Sequence, residues 1–305
     1  MTDVYHSGEL SVQRLAGAEI AAQQNSRIVR TSIPKGAVAF LKGQALMIVA
    51  SVDEKGRVWS SFLTGDPGFI DVEDEVTITI HSDPVKNDPL LRNLASSPEI
   101  GLLAIDFSKR MRMRINGTGY FEGGRRLVVK TEQVYGNCPQ YIHKRTMSPN
   151  GVFQRLLKSE QRGPGLTPEQ QVWIRNSDTF FIGSSSSEGK ADVSHRGGPP
   201  GFIKVIDERT LLFPDYYGNS MFNTLGNIYS NPSSGLLFID FNNGHSLQLT
   251  GKSEIIWDVN TLTEFPAAER IVRFEINEVL FTENGTQLGW SFVEFSSTIP
   301  TLVIL

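Results

Sequence analysis

The sequence predicts a mainly β protein assembled from two copies of a small barrel or closed sheet, with a few short helices. Three observations predict it: an internal repeat, short apolar runs cut by turn signals in each copy, and one short helix candidate per copy stopped by a proline. Residues 56–70 (GRVWSSFLTGDPGFI) meet residues 189–203 (GKADVSHRGGPPGFI) at an offset of 189 − 56 = 133. Residues 97–107 (SPEIGLLAIDF) meet 231–241 (NPSSGLLFIDF) at 231 − 97 = 134, and Gly117 and Gly251 keep that spacing. One inserted residue between the two blocks means that the halves share a fold.

The elements follow in chain order. Residues 7–24 suit a helix with Leu10, Leu15 and Ala18 on one side. Strands are expected at 45–52, 57–63, 76–81, 100–107, 111–116 and near 127–134. Asp53-Glu54-Lys55-Gly56 and Ser187-Glu188-Gly189-Lys190 suit hairpin turns, with glycine supplying the positive φ. Residues 89–95 and 221–229 are the short helices, ended by Pro98 and Pro232. Residues 147–165 contain Ser-Pro-Asn-Gly and Gly-Pro-Gly and read as a linker. Thr167-Pro168-Glu169-Gln170 then opens a helix to about Asn176, because the threonine and glutamine form a capping box around proline at the first helical position.

The chain has 305 residues, with 29 Lys+Arg against 33 Asp+Glu, a formal charge of −4. A protein that binds nucleic acid through phosphate contacts needs a basic surplus, so that class is disfavoured and any basic site must be local. The single cysteine, Cys138, excludes an internal disulfide and a multi-cysteine metal site. The start, MTDVYHSGEL, has neither a basic region nor an apolar run, and no segment approaches the roughly 20 apolar residues of a membrane span. The expectation is a cytoplasmic protein that contacts no membrane.

Positions where the two copies differ are the candidates for chemistry. Arg110, Arg112 and Arg114 alternate with Met111, Met113 and Ile115, so a strand places the guanidinium groups on one face. Their counterparts Gly244, Ser246 and Gln248 are uncharged. Such a row suits a phosphate, or equally a solvated face screened by acids. Ser194-His195-Arg196-Gly197-Gly198 fits an anion nest or a plain turn, and residues 219–224 fit a phosphate at a helix start or simple capping. The histidines at 6, 81, 143, 195 and 245 have no metal-ligand spacing. Cys138 before a proline suits buried packing more than a nucleophile, and Trp59 and Phe62 suit either a cover for a flat cofactor or core.

Three segments carry a resemblance: Leu211-Leu212-Phe213-Pro214-Asp215, Asn-Pro-Ser-Ser-Gly-Leu-Leu-Phe at 231–238, and the strand ending Leu247-Gln248-Leu249-Thr250-Gly251. They resemble a strand, the NP-x-x-x-LLF element and the RQV-x-x-x-G strand of the pyridoxamine 5'-phosphate oxidase-like, FMN-binding split-barrel superfamily. Residues 135–141 and 194–198 resemble signatures of its predicted flavin-nucleotide-binding branch. The resemblance covers about 37–258. It implies a six-stranded Greek-key split barrel in each half, packed as a pseudo-dimer, with FMN where the barrels meet.

The division expected is an N-terminal helical extension at 1–36, a first barrel at 37–145, a linker and helix at 146–176, and a second barrel at 177–305. By the resemblance, Lys204 is similar to the family's phosphate-side lysine. Asn223 and Thr224 fall where the family has a basic pair before its helix, and Ser246 falls where it has the strand glutamine. These replacements thin the phosphate clamp, and Arg196, or Arg112 and Arg114 across the interface, would supply the missing charge. Ser194, His195, Asn219, Asn137 and Tyr141 complete the expected cofactor set.

The substrate residues of the true oxidase are not recognisable, nor is its C-terminal substrate segment, so that activity is not carried over. The resemblance implies an FMN-dependent oxidoreductase with a small-molecule redox partner, NAD(P)H being one candidate. A homodimer is expected because the family pairs its barrels, unless the tandem satisfies that pairing internally. The alternatives are a flavin-binding carrier or sensor without turnover, and a split barrel for haem or a deazaflavin, with His195 or His245 as axial ligand in the haem case.

Overall fold

The computed structural model describes residues 4–148, 159–258 and 263–300. Two helices, α1 (Ser7–Leu15) and α2 (Glu19–Asn25), stand where the sequence suggests one. Gly17, at φ 64°, separates them, a conformation that ends helices. The face of α1 also differs from expectation: Leu10 and Leu15 are exposed, while Gly8, Glu9, Val12 and Gln13 are buried. Val12 enters the core of the second copy, and Gly8 lets the helix come close, since a Cβ there would lie 2.2 Å from the Gly226 carbonyl oxygen.

Next come α3 (Val38–Lys42), β1 (Leu46–Val52), β2 (Val58–Thr64), β3 (Ile70–Asp74), β4 (Thr77–His81), α4 (Leu90–Ser96), β5 (Glu99–Asp106), β6 (Met111–Glu122) and β7 (Arg126–Asn137). They form one antiparallel sheet in the order β2-β1-β5-β6-β7-β4-β3. After β8 (Lys144–Met147), β9 (Glu160–Gly163) and α5 (Pro168–Asn176), the second copy runs β10 (Thr179–Ser185), β11 (Ala191–Gly197), β12 (Lys204–Val205), β13 (Thr210–Tyr216), α6 (Asn223–Ser230), β14 (Ser233–Ile239), β15 (Ser246–Ile256) and β16 (Ala268–Thr282). Its order, β11-β10-β14-β15-β16-β13-β12, repeats the first one strand for strand. The molecule is therefore a tandem of split barrels.

Over the six strands expected, the first sheet gains one, β3, and the second gains two, β12 and β9. β3 is short and carries three acids in five residues, which hides its alternation, and β12 has two residues. α5 starts with the reciprocal Thr167–Gln170 capping box. Of the expected linker, 149–158 lie outside the described residues, and its later part forms β9, which pairs with β16. β8 pairs with β17 (Trp290–Glu294) in a separate ribbon. Among the described residues no helix is long and apolar enough to cross a membrane.

Each half has its own apolar cluster, and a third joins them. In this shared core Ile48, Phe62, Leu103 and Ile105 of the first copy meet Phe181, Val193, Leu237 and Ile239 of the second. The backbones also touch. A Cβ on Gly101 of β5 would lie 2.7 Å from the Asp192 Cα, and one on its counterpart Gly235 would lie 2.6 Å from the Val58 carbonyl oxygen. That reciprocity is what a two-fold relation between copies requires. Trp59 and Phe62 are both buried core residues.

Candidate functional site

The edge strand β11 faces β6 across this seam, and a cleft opens where the two meet α6. Its cavity volume is about 110 Å³, and its mouth is open to solvent. Every residue of the expected cofactor set lines it except Lys204 and Ser246. Lys204 sits on the short edge strand β12, where its ammonium pairs with Glu264 at 2.5 Å and lies over Phe265. Ser246 begins β15, buried near Gly285 on the other seam. Arg110 departs from its row as well. Its φ of 52° places it in the turn before β6, and its guanidinium donates to the carbonyls of Ile142 and Phe295.

Arg112 and Arg114, two apart on β6, reach the seam together. The Arg114 Nη1 donates to Asp192 Oδ2 at 3.0 Å and its Nη2 bonds the Ser194 hydroxyl. Thr224 at the start of α6 also donates to that hydroxyl, at 3.1 Å. Among the described residues no carboxylate pairs with Arg112. Its Nη1 meets His195 Nδ1 at 3.1 Å, so that nitrogen accepts and the imidazole proton sits on Nε2. Burial, then the adjacent Arg114 and Arg196, push the Arg112 guanidinium down to about 9, still cationic at neutral pH. Burial, then Arg112, hold His195 well below the usual histidine range, so it is neutral.

Arg196 donates through Nη1 to Asp215 Oδ1 at 2.6 Å, and Arg270 grips the other oxygen of Asp215 through Nε and Nη2. Glu269 also pairs with Arg270. Counting these formal charges, four arginines (112, 114, 196, 270) face three acids (192, 215, 269), giving 4 − 3 = +1. Within that arrangement the Nε atoms of Arg112, Arg114 and Arg196 are buried and unpartnered. Buried guanidinium N–H groups without acceptors are costly, and a phosphate supplies the acceptors they lack. α6 adds donors, since no side chain caps its first turn, and Ser220 and Phe222 hold left-handed φ values of 58° and 60° to turn the chain into it.

The mouth is aromatic. Tyr141 stacks on Tyr216 at 5.3 Å and donates to the Tyr217 carbonyl, and Arg270 lies over Phe222 and Trp257. A planar ring system fits such a rim. Asn137 lines the cleft with a buried, unpartnered Oδ1, and Asn219 braces the loop by accepting from Met221 N. Cys138 is exposed at the mouth, not buried as expected, because the chain leaves β7 there. The sequence reading did not find Asp192, Asp215, Tyr216, Arg270 or Glu9 as site residues. The departure of Asp192 from its repeat partner Trp59 was the available signal.

Glu9 reaches the site from behind. Its carboxyl accepts from His6 N at 2.8 Å and from Asn223 Nδ2 at 2.5 Å, and burial pushes it up to about 8. A folded value above the unfolded one near 4.5 means stability that is fully present below pH 4.5 and is lost as the pH rises through 8. A Glu9→Gln protein lacks this loss. Its melting temperature relative to wild type should climb between pH 5 and pH 8.5, corresponding to about 1.4 kcal/mol per pH unit at most. Parallel melting curves over that range would remove the buried acid from the account.

A family model described as pyridoxamine 5'-phosphate oxidase matches residues 33–149 and 166–285, one match per copy. No curated protein is matched by the sequence. Among solved structures, similarity extends to HupZ from Group A Streptococcus, at 11% identity over 37% of this chain and 92% of that chain, with TM-score 0.31. A Lactobacillus delbrueckii protein provisionally named pyridoxamine 5'-phosphate oxidase is 21% identical over 38% of this chain and 94% of its own, with TM-score 0.31. An FMN-binding protein from Syntrophomonas wolfei is 10% identical over 37% and 84%, with TM-score 0.28.

Proposed function

This chain belongs to the pyridoxamine 5'-phosphate oxidase family, and from that premise we propose that it is a cytoplasmic FMN-dependent oxidoreductase holding one flavin phosphate in the seam between its barrels. The observation that carries the reading is the convergence of three guanidinium groups whose buried Nε atoms have no acceptor. Arg112, Arg114 and Arg196 would hold the phosphate with Ser194 and Thr224, and the Tyr141–Tyr216 pair would flank the ring. When bound, the flavin supplies the hydride and electron chemistry. The side chains bind and orient, and the seam keeps water from the phosphate end. His195 stays neutral against Arg112 and fixes that guanidinium instead of moving a proton. A small molecule, with NAD(P)H as the first candidate, would reach the open aromatic mouth.

Calorimetry with FMN tests the reading: binding with a yellow, fluorescence-quenched product is expected, and a colourless protein with no heat of binding refutes it. Arg196→Ala should weaken FMN at least tenfold, about 1.4 kcal/mol; an unchanged affinity would put the phosphate elsewhere. A second reading, a flavin carrier or sensor without turnover, is favoured by the lack of an acid–base dyad in the cleft, and NAD(P)H oxidation well above that of free FMN would exclude it. For the haem alternative, His245 lies outside the cleft with its Nδ1 accepting from Asn284 N, which leaves His195 as the candidate ligand.

A further inference from the structure

A two-fold relation between the copies implies a second seam equivalent to the first. The repeat offsets locate it: Ser194 maps to Ser61 (194 − 61 = 133), Arg114 to Gln248 (248 − 114 = 134), and Phe222, just before α6, to Asp88, just before α4 (222 − 88 = 134). The register is secured by a conserved bond, since Asn93 donates to the Ser51 hydroxyl at 3.0 Å and Asn227 donates to the Ser184 hydroxyl at 3.0 Å. The central pair is kept too. Arg114 bonds Ser194 in the first seam, and Gln248 donates to the Ser61 hydroxyl at 3.1 Å in the second.

In the second seam the acceptor for these donors is a side chain of the protein. Asp88 is buried, and its Oδ1 accepts from the Ser61 hydroxyl at 2.7 Å and from Leu90 N at 2.8 Å. Its Oδ2 accepts from Gln248 Nε2 at 3.0 Å. We infer that the Asp88 carboxylate is an internal anion standing at the position that a bound phosphate takes in the first seam, so that the second seam is closed and the chain carries a single cofactor site. Burial pushes the Asp88 carboxyl up to about 6, which leaves it ionised at neutral pH. The two seams then differ consistently. Where the acid is built in, the facing strand has neutral Ser246 and Gln248; where position 222 is a phenylalanine, the facing strand has Arg112 and Arg114.

Removing the Asp88 side chain to glycine deletes a fragment the size and charge of acetate, which makes acetate the probe. The full-length wild type and Asp88→Gly proteins are melted at pH 7 in sodium acetate and in sodium chloride of equal concentration. Acetate should raise the melting temperature of Asp88→Gly by about 2 °C or more beyond any rise in wild type, the response of a native state that binds the added anion. Equal responses overturn the inference. If Asp88→Gly does not fold, Asp88→Ala takes its place in the same acetate and chloride comparison, and equal responses of that variant and wild type overturn the inference. The cofactor arm rests on the flavin reading: FMN should bind wild type at one equivalent, and two equivalents would show the second seam open. No binding at all would refute the flavin reading alone and leave the acetate result to judge Asp88.

Discussion

Arg112→Met should lower FMN affinity at least a hundredfold while raising the melting temperature of the ligand-free protein. The two effects share one cause. Arg114 has Asp192 and Arg196 has Asp215, so Arg112 is the cation of this cluster that no carboxylate among the described residues pairs with. Removing it takes the local sum from +1 to zero and deletes an unpartnered N–H, a loss of roughly 2.7 kcal/mol at a hundredfold. Without ligand, the same change relieves a charge held out of water with no counter-ion, which is where apolar replacement stabilises. Calorimetry and thermal unfolding on one preparation read both, and affinity and stability falling together would show that Arg112 is structural.

Gly101→Val should destabilise the protein on the order of 3 kcal/mol or more, seen as a melting temperature lower by at least about 6 °C. The first added carbon alone would lie 2.7 Å from the Asp192 Cα and 2.9 Å from its carbonyl carbon. Backbone on both sides must move, yet β5 is bonded to β1 and β6, and β11 to β10. Because Asp192 holds Arg114, the variant should also bind FMN more weakly. An unchanged melting temperature would mean that the barrels do not meet here.

The repeat made the fold legible, because a duplicated pattern of short strands leaves few architectures open. The seam was legible where the copies disagree in charge, with serine and glutamine standing at the positions of Arg112 and Arg114, and at residues 135–141 and 194–198, where the resemblance points to it. Arg270 and Asp215 lie 55 residues apart and meet only because β13 and β16 pair, a register the sequence does not reveal. Lys204 misled for the converse reason. Its place in the chain suits a phosphate ligand, but a two-residue edge strand points it at Glu264. In α1 an apolar stripe is a poor guide, because Val12 alone of its large apolar residues enters the core and Gly8 meets Gly226 where no side chain stands between them.

The ribbon of β8 and β17 has a consequence for how the chain is made. Lys144 pairs with Glu294, so 294 − 144 = 150 residues separate partners that must find each other. At roughly 5–20 residues per second, a ribosome takes about 8–30 s to cover that distance. The nascent first barrel therefore waits with β8 unpaired until the last strand emerges, and closure of the ribbon is a late step in biogenesis.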